Sequence, residues 1–213
     1  MIPPEGRPAP DCPLCPRLAA FRAANRIAQP EWFNAPVPSF GDPAAPLLIV
    51  GMAPGLRGAN RTGRPFTGDY AGVLLYGTLL RLGLARGAYR AALEDGLELV
   101  GCRIVNAVRC VPPANRPLPA EIAACNRFLA AEFRAMPNLR AMLALGVVAH
   151  NAALRAQGER PARFAFAHGA AHELAAGRVL VDSYHVSRLN TNTGRLTETM
   201  FEAAVRTAME AAS

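Results

Sequence analysis

Apolar residues fall along this chain in short continuous runs, separated by stretches in which they recur every three or four positions. Pro46-Leu-Leu-Ile-Val50 is one such run, closed by Gly51, and a run of this kind predicts a strand buried on both faces. Arg103 to Val108, Arg140 to Leu145 and Arg178 to Ser183 are three further strand candidates. Between them, Val73, Leu74, Tyr76, Leu79, Leu80 and Leu84 repeat with helical spacing over Ala71 to Leu84, and Gly83 and Gly87 punctuate the end. A second long helix is predicted from Ala120 to Met136, and a short one from Arg17 to Ile27 with Leu18, Phe21 and Ile27 on one face. Gln29 to Pro46 carries five prolines and is predicted to be irregular. Strands that alternate with helices predict an α/β fold, a parallel sheet covered on both faces. One domain is expected over residues 1–213, with the Pro-rich start, residues 1–11, loosely ordered.

Composition narrows the class. With 51% hydrophobic and 18% charged residues the chain is globular, not disordered. No apolar run approaches the ~18 residues that cross a bilayer, and the N-terminus lacks the apolar core of a signal peptide. A cytoplasmic, non-membrane protein is expected. The net charge of +7 comes entirely from arginine, since the chain has no lysine. A pI near 9.8 points to a polyanionic partner, although a GC-rich coding bias also favours arginine. Five cysteines in a reducing compartment argue for metal or catalysis over disulfides.

Three candidate constellations follow predicted strands, at the carboxyl ends where open α/β sheets place their sites. The first, Gly51 to Asp69, holds five glycines in its first eighteen residues together with Arg57, Arg61 and Arg64. Such a loop lets backbone amides approach an anion. It has neither a Gly-Lys-Ser/Thr phosphate loop nor a GxGxxG fingerprint. Asp69, the only carboxylate between Asp42 and Glu94, reads as a salt-bridge partner, a catalytic base or an electrostatic stabiliser. The second constellation is Cys12 and Cys15, two residues apart, with Cys110 and Cys125, fourteen apart. A zinc ribbon closes with a second tight pair, so this open spacing favours an iron–sulfur cluster on four thiolates over four unrelated thiols. Cys125 also lies on the apolar stripe of Ile122, Leu129 and Phe133, as a core residue would, and Cys102 is expected to be a small buried apolar residue. The third constellation runs from Ser183 to Thr197 around His185. Its Leu189, flanked by Arg188 and Asn190, suits a wedge entering a base stack. His150, His168 and His172 are read as structural.

Gly51-Met-Ala-Pro-Gly55, Asn60-Arg-Thr-Gly-Arg-Pro-Phe-Thr-Gly-Asp69, Arg109-Cys-Val-Pro-Pro-Ala-Asn115-Arg-Pro and His185-Val-Ser with Asn190-Thr-Asn-Thr-Gly-Arg-Leu-Thr197 together resemble family 5, the b-type, of the uracil-DNA glycosylase superfamily. The likeness runs from Cys12 to about Phe201. It implies an α/β/α sandwich around a central four-stranded parallel sheet and a [4Fe–4S] cluster on Cys12, Cys15, Cys110 and Cys125. It also implies a monomeric enzyme that excises uracil, and other deaminated bases such as hypoxanthine and xanthine, from DNA. Related families carry an acidic or amide side chain where this chain has Ala53, so Asp69, Asn115 and His185 become the catalytic candidates. By the same resemblance Gly51, Ala53, Phe66 and Asn106 would border the base, although Phe66 also reads as a core aromatic and Asn106 matches a base-reading Asn only of the a-type. Arg57, Arg61, Ser187, Arg188 and Leu189 would contact DNA. Two other functions compete: a non-catalytic module of the same fold that binds damaged DNA, and a phosphoester hydrolase. The latter would need an acidic pair near the loop to hold Mg²⁺, and none is there.

Overall fold

The protein is described here by a computed structural model covering residues 6–213. Its strands are β1 (Phe40–Gly41), β2 (Leu47–Gly51), β3 (Ala85–Arg86), β4 (Glu98–Leu99), β5 (Cys102–Asn106), β6 (Ala141–Leu145), β7 (Ala171–Glu173) and β8 (Val179–Ser183). The helices are α1 (Pro16–Ala28), α2 (Ala59–Thr62), α3 (Tyr70–Arg81), α4 (Pro119–Arg134), α5 (Val147–Ala156), α6 (Arg188–Asn192) and α7 (Glu198–Ala212). No helix among the described residues is long and apolar enough to cross a membrane.

The four predicted strands form the parallel centre of one sheet in the order β5-β2-β6-β8. Every residue of β2, β5 and β6 is buried, which is why β2 and β6 are continuously apolar, while β5 also buries Arg103 and Asn106. Successive side chains point to opposite faces. Leu47 and Ile49 join α3 and α7 in one core layer, while Leu48 and Val50 join α4 and α5 in the other. The result is a three-layer α/β/α sandwich. The sheet has six strands, however, not four: β1 adds antiparallel to β5 and β7 antiparallel to β8. These edges are two and three residues long, too short for a period-2 pattern to register. Residues 1–5 of the Pro-rich start lie outside the described residues. Beyond them, Arg26 holds the segment through Asp11 Oδ1 at 2.5 Å and the Pro10 carbonyl at 3.1 Å.

Register decides where the chemistry falls. Gly51 pairs with Asn106 and Leu145 with Ser183, so the strands end level and three loops, 52–69, 107–118 and 184–197, emerge along one edge. The last segment is anchored by α7, capped by Thr197 Oγ1 accepting from the Met200 amide at 3.2 Å, with Phe201, Ala204, Val205 and Ala208 on its buried stripe. At the far end of the sheet Asp182, fully buried, accepts from His150 Nδ1 at 2.7 Å and His172 Nε2 at 2.9 Å. That network ties α5 and β7 to β8.

Candidate active site

Asp69 occupies the N-cap position of α3, at the end of the glycine-rich loop. Its Oδ2 lies 2.7 Å from where a Cβ on Gly55 would stand, and a Cβ on Gly58 would overlap it. Glycine is needed at these two positions because the carboxylate rests against the loop backbone. Its Oδ1 is buried and makes no hydrogen bond. Burial pushes the carboxyl pKa above the ordinary 3.8, opposed by the amides of Gly72 and Ala71 at the start of α3. No arginine pairs with it, although the loop is rich in them.

Asp69 borders a cavity of about 390 Å³. Met52, Ala53, Pro54, Gly55, Phe66, Asn106, Asn115, His185, Ser187 and Arg188 line it as well. Gly51 stands behind: a Cβ there would clash with Asn106 Oδ1 and lie 2.5 Å from Phe66 Cζ. Asn106 is buried, and its Oδ1 also lacks a partner. Two residues that line one cavity thus each carry a buried acceptor without a partner, a costly arrangement. Burial lowers the His185 pKa below 6.5, so at neutral pH the imidazole is uncharged and can offer one N–H. Asn115 sits in the left-handed region with φ 55° after Ala114 at 53°, exposed at the tip of its loop.

Phe66 belongs both to the cavity and to the core: its ring borders the cavity while only 7% of the residue is exposed. Its φ of 53° is an unusual conformation for an aromatic residue. Two tyrosines hold it there. Tyr76 donates to the Pro65 carbonyl at 2.6 Å, and Tyr89 donates to the Phe66 carbonyl at 3.2 Å while accepting from the Gly68 amide at 3.4 Å. Sequence reasoning placed Tyr76 only on an apolar stripe and did not reach Tyr89. It also missed Tyr70, adjacent to Asp69, whose hydroxyl bonds Thr191 Oγ1 at 3.0 Å beneath the Arg188 guanidinium.

The outer residues divide. Arg57 and Arg61 are exposed on the glycine-rich loop outside the cavity. Leu189 protrudes from α6 at 71% exposure, on a turn held by Ser187 Oγ accepting from the Asn190 amide at 3.3 Å and by Asn190 Nδ2 donating to the His185 carbonyl at 2.8 Å. Arg64, expected to add positive charge beside the loop, instead is buried. It forms a two-pronged pair with Asp95 at 2.9 and 2.7 Å and stacks on Phe40 and Tyr76. Its charge is consumed inside the fold.

Cys12, Cys15, Cys110 and Cys125 converge on a small pocket walled by Leu18, Val108 and Phe128. Among the described residues the only group of His, Cys, Asp or Glu ligand atoms lying within 4.8 Å of one another is that of His150, His172 and Asp182. Burial pushes the Cys125 thiol up to about 11 and raises Cys15 and Cys110 as well. Two N–H groups already address the sulfurs: Arg109 N on Cys125 and Arg22 Nη1 on Cys110, both at 3.4 Å. Cys102 is apart from them, fully buried under α3.

The family model described as the uracil DNA glycosylase superfamily matches residues 38–208. The chain is 47% identical to a type-5 uracil-DNA glycosylase of Thermus thermophilus, over 89% of each chain. It is 42% identical to one of Mycobacterium bovis, over 94% of this chain and 78% of that one, and 41% identical to one of Pyrobaculum aerophilum, over 94% and 89%. A type-4 enzyme of Pyrobaculum aerophilum is more distant, at 32% over 70% of each chain. With its central parallel sheet, its level strand ends and this degree of identity, the chain belongs to the uracil DNA glycosylase superfamily, in its type-5 group.

Proposed function

We propose that this protein is a monofunctional DNA glycosylase that hydrolyses the N-glycosidic bond of uracil, and of hypoxanthine and xanthine, in DNA. The observation that carries the reading is that Asp69 and Asn106, each with a buried, unpartnered Oδ1, line one cavity that Phe66 and His185 also border. The names of the type-5 relatives support uracil as the base removed.

Cleavage of the bond places positive charge on the sugar and negative charge on the departing base. Asp69 supplies the fixed anion beside C1′ and orients the attacking water through its free oxygen. The neutral His185 donates to a carbonyl oxygen of the base as charge builds there, an interaction whose loss typically costs ~10²–10³ in rate. Asn106 Oδ1 accepts the ring N–H that uracil and hypoxanthine both carry next to a carbonyl. Asn115, at the rim, completes the hold on the water or sugar. Ala53 leaves the wall open, which suits bicyclic bases. The extruded base stacks on Phe66, worth ~1–3 kcal/mol. Leu189 fills the space vacated in the duplex, and Arg57, Arg61, Ser187 and Arg188 bind flanking phosphates without reading sequence.

The all-thiolate donor set and the convergence of the four cysteines on one pocket support a thiolate-ligated [4Fe–4S] cluster. Such a cluster would tie α1 and the segment before it to the loop after β5, a structural contribution. The test incubates the protein, in chelator, with duplexes carrying one uracil or one hypoxanthine, followed by alkali. Strand scission at the lesion only after alkali supports the proposal. Tight binding with intact strands would instead favour a damaged-DNA binding module, and inorganic phosphate release a phosphoester hydrolase.

A further inference from the structure

Four arginines of this chain are buried: Arg22, Arg64, Arg103 and Arg109. Three have carboxylate partners, Arg64 in Asp95 and both Arg103 and Arg109 in Glu132. Arg22, at 5% exposure, has none among the described residues. Asp11, near it in sequence and space, is exposed and held by Arg26 at 2.5 Å. What Arg22 does touch is the cysteine site: Nη1 donates to Cys110 Sγ at 3.4 Å and Nη2 to the Cys12 carbonyl at 3.0 Å. A buried charge is expensive unless an opposite charge meets it. When ionised, the cysteine sulfurs, one of which the guanidinium already touches, supply such a charge.

We propose that Arg22 is the counter-ion of the four-cysteine centre, a residue that sets the centre's charge balance and its electron affinity as well as packing against it. This rests on the cluster reading above. A thiolate-ligated cluster is net negative and gains a further negative charge on one-electron reduction, so a buried cation bonded to one of its sulfurs favours the reduced form and retention of the group. Arg109 lines the same pocket, but its guanidinium is paired with Glu132, a carboxylate it shares with Arg103. Arg22 is the lining arginine with no carboxylate within ion-pair distance among the described residues.

The experiment uses the full chain purified anaerobically, with iron content, circular dichroism and a spectroscopic redox titration as readouts. Arg22→Met keeps bulk and removes charge; Arg22→Lys keeps charge and removes the fork. Arg22→Met is expected to lower the equilibrium constant for one-electron reduction at least tenfold, 59 mV for such a couple, or to lose its iron while remaining folded. Arg22→Lys is expected to retain its iron and stay within about half that shift. Arg22→Met with full iron and the wild-type potential overturns the proposal. So does Arg22→Lys showing the same loss, of potential or of iron, that Arg22→Met shows. Wild-type protein that binds no iron fails earlier and separately, because it removes the cluster itself.

Discussion

Replacing Gly55 by alanine tests the placement of Asp69 without touching its chemistry. The added Cβ would stand 2.7 Å from Asp69 Oδ2, whereas ordinary contact begins at 3.4 Å. Gly55 has no positive φ to strain, and the cavity beside the carboxylate gives it somewhere to go. The cost therefore falls on position. A 1 Å misplacement of a reacting group can cost ~10²-fold, so a retreat of about two-thirds of that predicts a ten- to hundredfold loss. The assay is single-turnover excision from a uracil duplex, read as alkali-labile strand, beside a thermal melt. The expected result is a slow enzyme with a melting temperature within ~2 °C of wild type. Gly55→Ala with a rate within twofold of wild type would refute the placement of this carboxylate at the reacting centre. A large drop in melting temperature would show that the loop, not the carboxylate, had absorbed the methyl group.

Asp69→Asn should reduce excision by ~10²–10⁴ yet stabilise the protein at pH 7. The folded-state pKa is raised, so the ionised carboxylate is penalised in the fold and the native carboxyl is favoured only when protonated. The stability gain of the variant should vanish as pH falls below 3.8, the ordinary carboxylate value, and paired melts across pH check this. Leu189→Ala should leave the melting temperature unchanged, since the side chain is 71% exposed. It should slow excision from duplex about tenfold and from single strands hardly at all, because only the duplex demands unstacking. Asp95→Asn breaks a pair whose side chains are 2% and 0% exposed. It should cost ~3–5 kcal/mol, lowering the melting temperature by roughly 6–20 °C, measured calorimetrically.

Much of this arrangement is legible in the residues. Central strands buried on both faces are rich in apolar residues, so four of them were placed to within two residues. Asp69 stood out as the one carboxylate of an arginine-rich loop, the four cysteines by their spacing, and His185 by the polar loop that follows it. What stayed hidden depends on pairing across the chain. The edge strands β1 and β7 exist only because β5 and β8 offer free backbone groups. The helix α5 follows β6 without an independent cap signal, and neither it nor α7 was anticipated. Arg64 looked like free positive charge beside the loop because nothing local reveals that Asp95, thirty-one residues on, neutralises it. Tyr89 and Tyr76 brace Phe66 through its backbone, a role that a side-chain pattern cannot carry. That Arg22 has no carboxylate partner among the described residues becomes visible only in the fold.

The most direct measurement is the release of free base. Wild-type protein, Asp69→Asn and His185→Ala would each be mixed in excess with a uracil-containing duplex in chelator, and free uracil quantified by mass spectrometry together with strand integrity. Stoichiometric uracil from wild type, with strands intact until alkali and release collapsing in both variants, is the predicted result. Unchanged release from Asp69→Asn, or wild-type protein that binds the duplex and frees no base, would contradict hydrolysis at this site.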